Sequence, residues 1–102
     1  MDKNEKLQIE QIKQDDVLTC KLAGWLDPNT SPSLVSEIDL TDVKALIFDL
    51  AKVEYVFSSG IRAFLILQKM LEKNGGKVRL INVAENIRNI FEYAGLESMI
   101  DS

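Results

Sequence analysis

The sequence predicts an α/β domain with element order β-β-α-β-α-β-α, a mixed sheet of about four to five strands flanked by helices. Three observations predict it. Ala45-Leu46-Ile47-Phe48-Asp49-Leu50 is almost wholly apolar, as suits a central strand buried on both faces of a mostly parallel sheet. The stretch after it carries Phe64, Leu67 and Leu71 at helical spacing, with Ile61 and Leu65 beside them, and stops at Asn74-Gly75-Gly76, where glycine tolerates a left-handed C-cap. A second apolar run, residues 78–83, precedes Ile87, Ile90, Phe91 and Ala94 at i, i+3, i+4 and i+7, closed by Gly95. Strands that alternate with helices favour layered α/β packing.

In chain order, residues 1–6 are polar and read as a flexible tail, with one domain over 7–102. Leu7-Gln8-Ile9-Glu10 alternates as a strand does, and Ile12 slips the phase, as a bulge or a strand end would. Gln14-Asp15-Asp16 is a turn, and residues 17–22 form a second strand with Leu18, Cys20 and Leu22 on its core face, giving a hairpin. Residues 24–32 read as a loop. A short helix is expected from about Ser33 to Ile38, capped by Thr30 or Ser31, with Pro32 in its first turn. The longer helix runs from about Ser59 to Lys73 with Arg62, Lys69 and Lys73 as its polar stripe and Ile66 next to it. Residues 96–100 close the chain as a short helix or an edge strand.

Composition narrows the function. The chain has 102 residues, 46% hydrophobic and 27% charged, a globular balance. A net charge of -4 and the lack of any basic run make nucleic acid a poor partner. No apolar run approaches the ~20 residues that span a bilayer, so direct membrane insertion is not expected and a cytoplasmic location is. The single cysteine, Cys20, excludes an internal disulfide and suits a reducing setting. It reads as a buried, unreactive thiol. Histidine is absent, which removes Ser-His triads and histidine-bound metals. No Gly-rich phosphate cradle occurs, and Asp27 and Asp49 have no base, nucleophile or metal partner in the pattern. The expectation is a protein without catalytic activity, cofactor or metal.

The stretch that organises the chain is Tyr55-Val56-Phe57-Ser58-Ser59-Gly60-Ile61-Arg62. Serine at a helix start is a favoured cap, and a helix N-terminus also favours an anion. Both readings of Ser58 and Ser59 stand on the residues alone. In open α/β sheets, sites gather beyond the carboxyl ends of the strands. That expectation places Asp49, Ser58, Ser59 and Asn82 together.

The run from Phe48 to Arg62 resembles the signature of the STAS domain family (sulfate transporter and anti-sigma factor antagonist): a strand ending in Asp-Leu, a hydrophobic Val-x-Tyr step, then Ser-Ser-Gly at a helix start. Gly24-Trp25-Leu26-Asp27 resembles the family's Gly-x-Leu-Asp, and residues 79–83 and 91–96 resemble its later landmarks. The resemblance covers about Leu7 to Ile100 and implies the STAS fold. It implies an anti-sigma factor antagonist, a switch that binds an anti-sigma factor/serine kinase of GHKL type when unphosphorylated and so releases a sigma factor. A PP2C-type phosphatase would reset it. The first serine of the motif matches Ser58, making Ser58 the implied phosphorylation site and Ser59 the second choice.

Partner contact is expected from Trp25, Asp27, Ser58, Ser59, Arg62 and Ile66, with Asp49 and Asn82 supporting the site. Asp27 matches the family's loop aspartate and is expected to line the Ser58 site, ordering the loop or orienting the serine. Trp25 is an interface anchor if exposed and core rim if not; Ile66 is a partner contact if exposed, though a core shoulder fits its position better. The chain departs from the family pattern at Phe57, where antagonists often carry Asp, at Trp25, a slot more often polar, and between Asp27 and Ala45, which is short. The same family also contains non-switching scaffolds and subunits of transport or signalling complexes, in which Ser58 would be only a cap.

Overall fold

The computed structural model describes residues 7–101; the expected tail over residues 1–6 lies outside them. The elements are β1 (Gln8–Gln14), β2 (Val17–Leu26), α1 (Ser31–Glu37), β3 (Ala45–Val56), α2 (Ser58–Glu72), β4 (Lys77–Ile81), α3 (Glu85–Tyr93) and a 3-10 turn (Glu97–Met99). They form a 4-stranded sheet in the order β1-β2-β3-β4. β1 and β2 are antiparallel across a tight turn in which Asp15 takes a left-handed φ of 56°. The β2-β3 and β3-β4 pairs are parallel, with α1 and α2 in the crossovers. The predicted order and the mixed sheet are both present. Where a fifth strand would lie, Ile100 makes only an isolated parallel bridge to Leu80.

The sheet is covered on one face, not on both as the apolar run over residues 45–50 suggested. Leu46, Phe48 and Leu50 are buried, while Ala45, Ile47 and Asp49 between them are half-buried. Phe48 meets Phe64 of α2 edge-on at 4.9 Å between ring centroids, and Phe64 meets Phe91 of α3 at 5.4 Å. Both helices therefore sit on the Phe48 side. Gln11 pairs with Cys20 and so shares that face; its side-chain amide donates to the Glu37 carbonyl at the end of α1 (3.0 Å). All three helices thus form one layer. The bare face keeps its charges in register: Glu10 lies opposite Lys21, and Lys21 opposite Asp49. Opposite charges side by side favour this pairing and explain why Asp49 interrupts an apolar run.

Four local expectations are corrected. β1 runs in unbroken register through Ile12, so neither a bulge nor a strand end occurs there; the phase slip leaves Ile12 exposed on an edge strand. β2 continues through Gly24, Trp25 and Leu26, which the sequence reading assigned to a loop. α1 begins at Ser31 and is 7 residues long, as short as the sequence between Asp27 and Ala45 implied. β3 does not stop at Leu50 but continues to Val56. Register shifts between Lys21 and Ala23, and between Gly24 and Trp25, each give β3 an extra residue against β2. Such bulges turn the alternation into the 3-residue spacing Leu50, Val53, Val56.

Candidate functional site

The outer half of β3 delivers the chain to α2. Phe57 occupies the N-cap position, with extended backbone (φ -86°, ψ 172°) and no side-chain cap bond. Its N–H donates to the Leu26 carbonyl at 2.8 Å, tying the helix start to the end of β2. Ser58 and Ser59 are therefore the first residues inside α2 and not its cap, which removes the plain capping role the sequence left open. Among the described residues, the N–H groups of Ser58 and Ser59 meet no protein acceptor, whereas those of Gly60 and Ile61 return to the Phe57 carbonyl at 2.9 and 3.1 Å. Two unsatisfied donors thus stand at the positive end of the helix dipole, on the backbone of the two serines themselves.

Gly60 explains the third residue of the Ser-Ser-Gly motif. A Cβ there would stand 2.8 Å from Leu26 Cβ and 2.9 Å from Val56 Cγ1. Only glycine lets the first turn of α2 press onto the ends of β2 and β3. That contact holds Ser58 at the carboxyl edge of the sheet.

Ser58 stands on a ridge between two grooves. One, of about 600 Å³, lies between α1 and α2 and is lined by Pro32, Val35, Ser58, Ser59, Arg62 and Ile66 among others. The other, of about 540 Å³, lies between α2 and α3 and is lined by Tyr55, Phe57, Ser58, Ile61, Ile90 and Tyr93 among others. Both are mainly apolar. Arg62 is the one charged side chain in the first, and the second has none. Ile66 is 41% exposed, so it is a surface residue of the first groove and not the core shoulder its position suggested.

Trp25 resolves toward the surface as well, at 38% exposure. Its indole N–H donates to Glu54 Oε1 at 3.2 Å, and its ring stacks on Phe57 at 6.1 Å and 28°. Tyr55 completes the group, edge-on to Phe57 at 4.9 Å. The bulges produce this cluster, because they bring Trp25 and Tyr55 into register on the outer half of the strand pair. Tyr55 and Phe57 escaped the sequence reading as site residues, as did Tyr93, which is 96% exposed. The signal was there: three aromatics and a valine within Trp25 and residues 55–57, too many for a strand end that buries only Val56.

Asp27 orders the loop. Its Oδ1 accepts from the N–H groups of Asn29 and Thr30, both at 2.9 Å, and its carbonyl accepts from the Ser31 N–H at 2.9 Å. The Thr30 hydroxyl donates to the Trp25 carbonyl at 2.6 Å and accepts from the Asp27 N–H at 3.0 Å. Thr30 holds the N-cap position of α1, one of the two caps expected, but its side chain makes no cap bond to the helix, and this turn launches α1 instead. Asp27 does not line the Ser58 groove, where Pro28 stands instead. It reaches the serines only through Ser31, which is buried and whose hydroxyl lies 3.4 Å from that of Ser59.

Asp49 and Asn82 form a separate pair. Asn82 Nδ2 donates to Asp49 Oδ1 at 3.0 Å, and the same oxygen accepts from the Ala51 N–H at 3.0 Å. Asp49 is in the middle of β3, seven residues before Val56, roughly 20 Å away at ~3.3 Å per strand residue. The pair clamps the point where β4 leaves β3 and the first bulge starts; it does not touch the Ser58 grooves. Asn82 takes a left-handed φ of 56° there.

The two grooves offer mainly apolar surface on either side of Ser58. Cys20 is fully buried, and burial pushes its thiol up to about 12, far from a reactive thiolate. Among the described residues no group of three or more His, Cys, Asp or Glu is placed to hold a metal, and no helix is long and apolar enough to cross a membrane.

A family model described as "STAS domain" matches residues 8–102. The chain is 30% identical to an anti-sigma-B factor antagonist of Bacillus subtilis, over 96% of this chain and 90% of that protein. It is 31% identical to one of Staphylococcus epidermidis, over 92% of this chain and 90% of that one. The fold matches the unphosphorylated form of the anti-sigma factor antagonist SpoIIAA with a TM-score of 0.81 at 23% identity, covering 93% of this chain and 85% of that one. The phosphorylated form of SpoIIAA, a Bacillus cell fate determinant, matches at 0.74 and 22% identity, covering 93% and 88%.

Proposed function

The chain belongs to the STAS domain family, and from that premise we propose that it is an anti-sigma factor antagonist controlled by phosphorylation of Ser58. In its unphosphorylated form it binds an anti-sigma factor that is also a serine kinase of GHKL type, and a sigma factor is released. The kinase transfers the γ-phosphoryl group of ATP to Ser58: the Oγ–P bond forms, the bond from phosphorus to the ADP oxygen breaks, and the serine proton passes to a base of the kinase. A PP2C-type phosphatase hydrolyses the ester, returning serine and inorganic phosphate. Cytoplasmic location follows from that role.

The observation that carries the reading is the position of Ser58. It is exposed, inside the first turn of α2, next to unsatisfied N–H donors, and on the ridge between two apolar grooves. A partner that fills the grooves must cover the serine. Phosphate adds about -1.5 to -2 charges there, which a helix N-terminus tolerates but an apolar contact does not. A loss of ~3 kcal/mol already changes affinity about a hundredfold. Trp25 and Ile66 supply apolar contact on either side, Arg62 and Ser59 polar contact, and Asp27 holds the turn that joins the Trp25 end of β2 to α1.

Incubation with the cognate anti-sigma factor kinase and ATP, followed by mass spectrometric site mapping, tests this. Phosphate on Ser58 is the expected result. An active kinase that modifies neither Ser58 nor Ser59 would refute the switch.

A further inference from the structure

The two grooves beside Ser58 differ in one respect that the proposed switch does not use. The α1-α2 groove contains a cation, Arg62, and no carboxylate lines it; the α2-α3 groove contains no charged side chain. Arg62 follows Ser58 by one helical turn, and both line the same groove. Residues at i and i+4 are surface neighbours, ~5–6 Å between Cβ atoms, and an acid placed N-terminal to a base is the favoured orientation.

We infer that Arg62 is the internal receptor for the phosphoryl group on Ser58, so that phosphorylation takes from the partner the one cation its groove offers. The inference rests on Ser58 being the phosphorylation site. The guanidinium presents a planar pair of N–H donors that matches two phosphate oxygens. The remaining oxygen faces the open N–H groups of Ser58 and Ser59, with the hydroxyls of Ser59 and Ser31, 3.4 Å apart, at the same rim. With no cation lining the α2-α3 groove, the phosphate turns toward α1. In the unmodified protein Arg62 is available to an acidic group of the partner. In the phosphorylated protein it is occupied, and the groove changes from cationic to net anionic. Phosphorylation therefore removes an attraction as well as adding a repulsion, and it tightens the first turn of α2 without melting it.

The test uses the full chain with phosphoserine encoded genetically at position 58, so that no kinase is needed, compared with the same chain carrying Arg62→Gln. The readout is a phosphorus NMR titration of the phosphate. Beside a free guanidinium the second ionisation falls, so the wild-type phosphate should titrate about half a unit or more below that of the Arg62→Gln chain. Arg62→Lys, which keeps the charge but not the fork, should lie between them. Thermal unfolding should show a gain on phosphorylation in the wild type that the Arg62→Gln chain loses. Equal titration of the phosphate in wild type and Arg62→Gln would overturn the inference. That outcome would leave Ser58 phosphorylation untouched, whereas failure of a kinase to modify Ser58 would bear only on the switch.

Discussion

The two halves of β3 differ in almost every respect. Ala45 to Asp49 pairs with β2 on one side and β4 on the other, in unbroken register, and its side chains alternate between core and bare face. Ala51 to Val56 has lost β4, carries two register shifts against β2, and buries only Val53 and Val56. The inner half has satisfied backbone edges and the Phe48-Phe64 contact. The outer half has exposed aromatics, and it ends at the turn that sets Ser58. One strand thus serves as core at one end and as an exposed aromatic surface at the other, with the Asp49-Asn82 clamp at the change.

The two halves should respond differently to mutation. The largest effect is expected in the inner half. Phe48→Ala removes a fully buried ring and should cost about 3–5 kcal/mol in chemical denaturation; the fraction that remains folded should still bind the partner. Gly60→Ala lies at the junction and forces Leu26 and Val56 apart. A loss of about 1–3 kcal/mol is expected, with weaker partner binding because the first turn of α2 shifts. Trp25→Ala in the outer half should reverse the pattern. Stability should fall by less than about 1 kcal/mol, while partner affinity, measured by calorimetry, should fall at least about tenfold. A stability loss at Trp25 comparable to that at Phe48, with affinity unchanged, would make the outer half core.

The effect confined to the narrowest range of conditions concerns pH. The unfolded Cys20 thiol ionises near 9.0 and the buried one near about 12. Between those values only the unfolded chain has released the proton, so the thiol's contribution is intact below the lower value and is lost as pH rises through the window. Denaturation midpoints of wild type should therefore decline more steeply above pH 9 than those of Cys20→Ala. Parallel declines would show that the thiol is not protonated by burial.

The inner half was legible from sequence because its signals are local. An unbroken apolar run, helical spacing at Phe64, Leu67 and Leu71, and glycine stops at Gly75 and Gly95 each report the conformation of their own segment. The outer half was not, because each bulge adds a residue to β3 against its partner strand. Leu50, Val53 and Val56 then repeat at 3 residues, which is not the strand period of two. The same bulges separated Asp49 from Ser58, since a strand taken to end at Leu50 brings the two together. Trp25 and Ile66 were ambiguous for a different reason. Their exposure depends on tertiary packing, and an aromatic or aliphatic residue near a periodic stripe suits either side of it. The helix start at Ser58 and Ser59 was legible by residue type, while the identity of the cap was not, because Phe57 has no capping side chain to announce the position.

In the proposed switch, one phosphate on Ser58 controls partner binding from the surface. Titration of the purified anti-sigma factor with unmodified and Ser58-phosphorylated protein tests it directly, with hydrogen exchange across α2 recorded on both forms. The phosphorylated form should bind at least about a hundredfold more weakly, with the amides of residues 60–72 equally or better protected. Equal affinities, or a lost affinity accompanied by a melted α2, would contradict it.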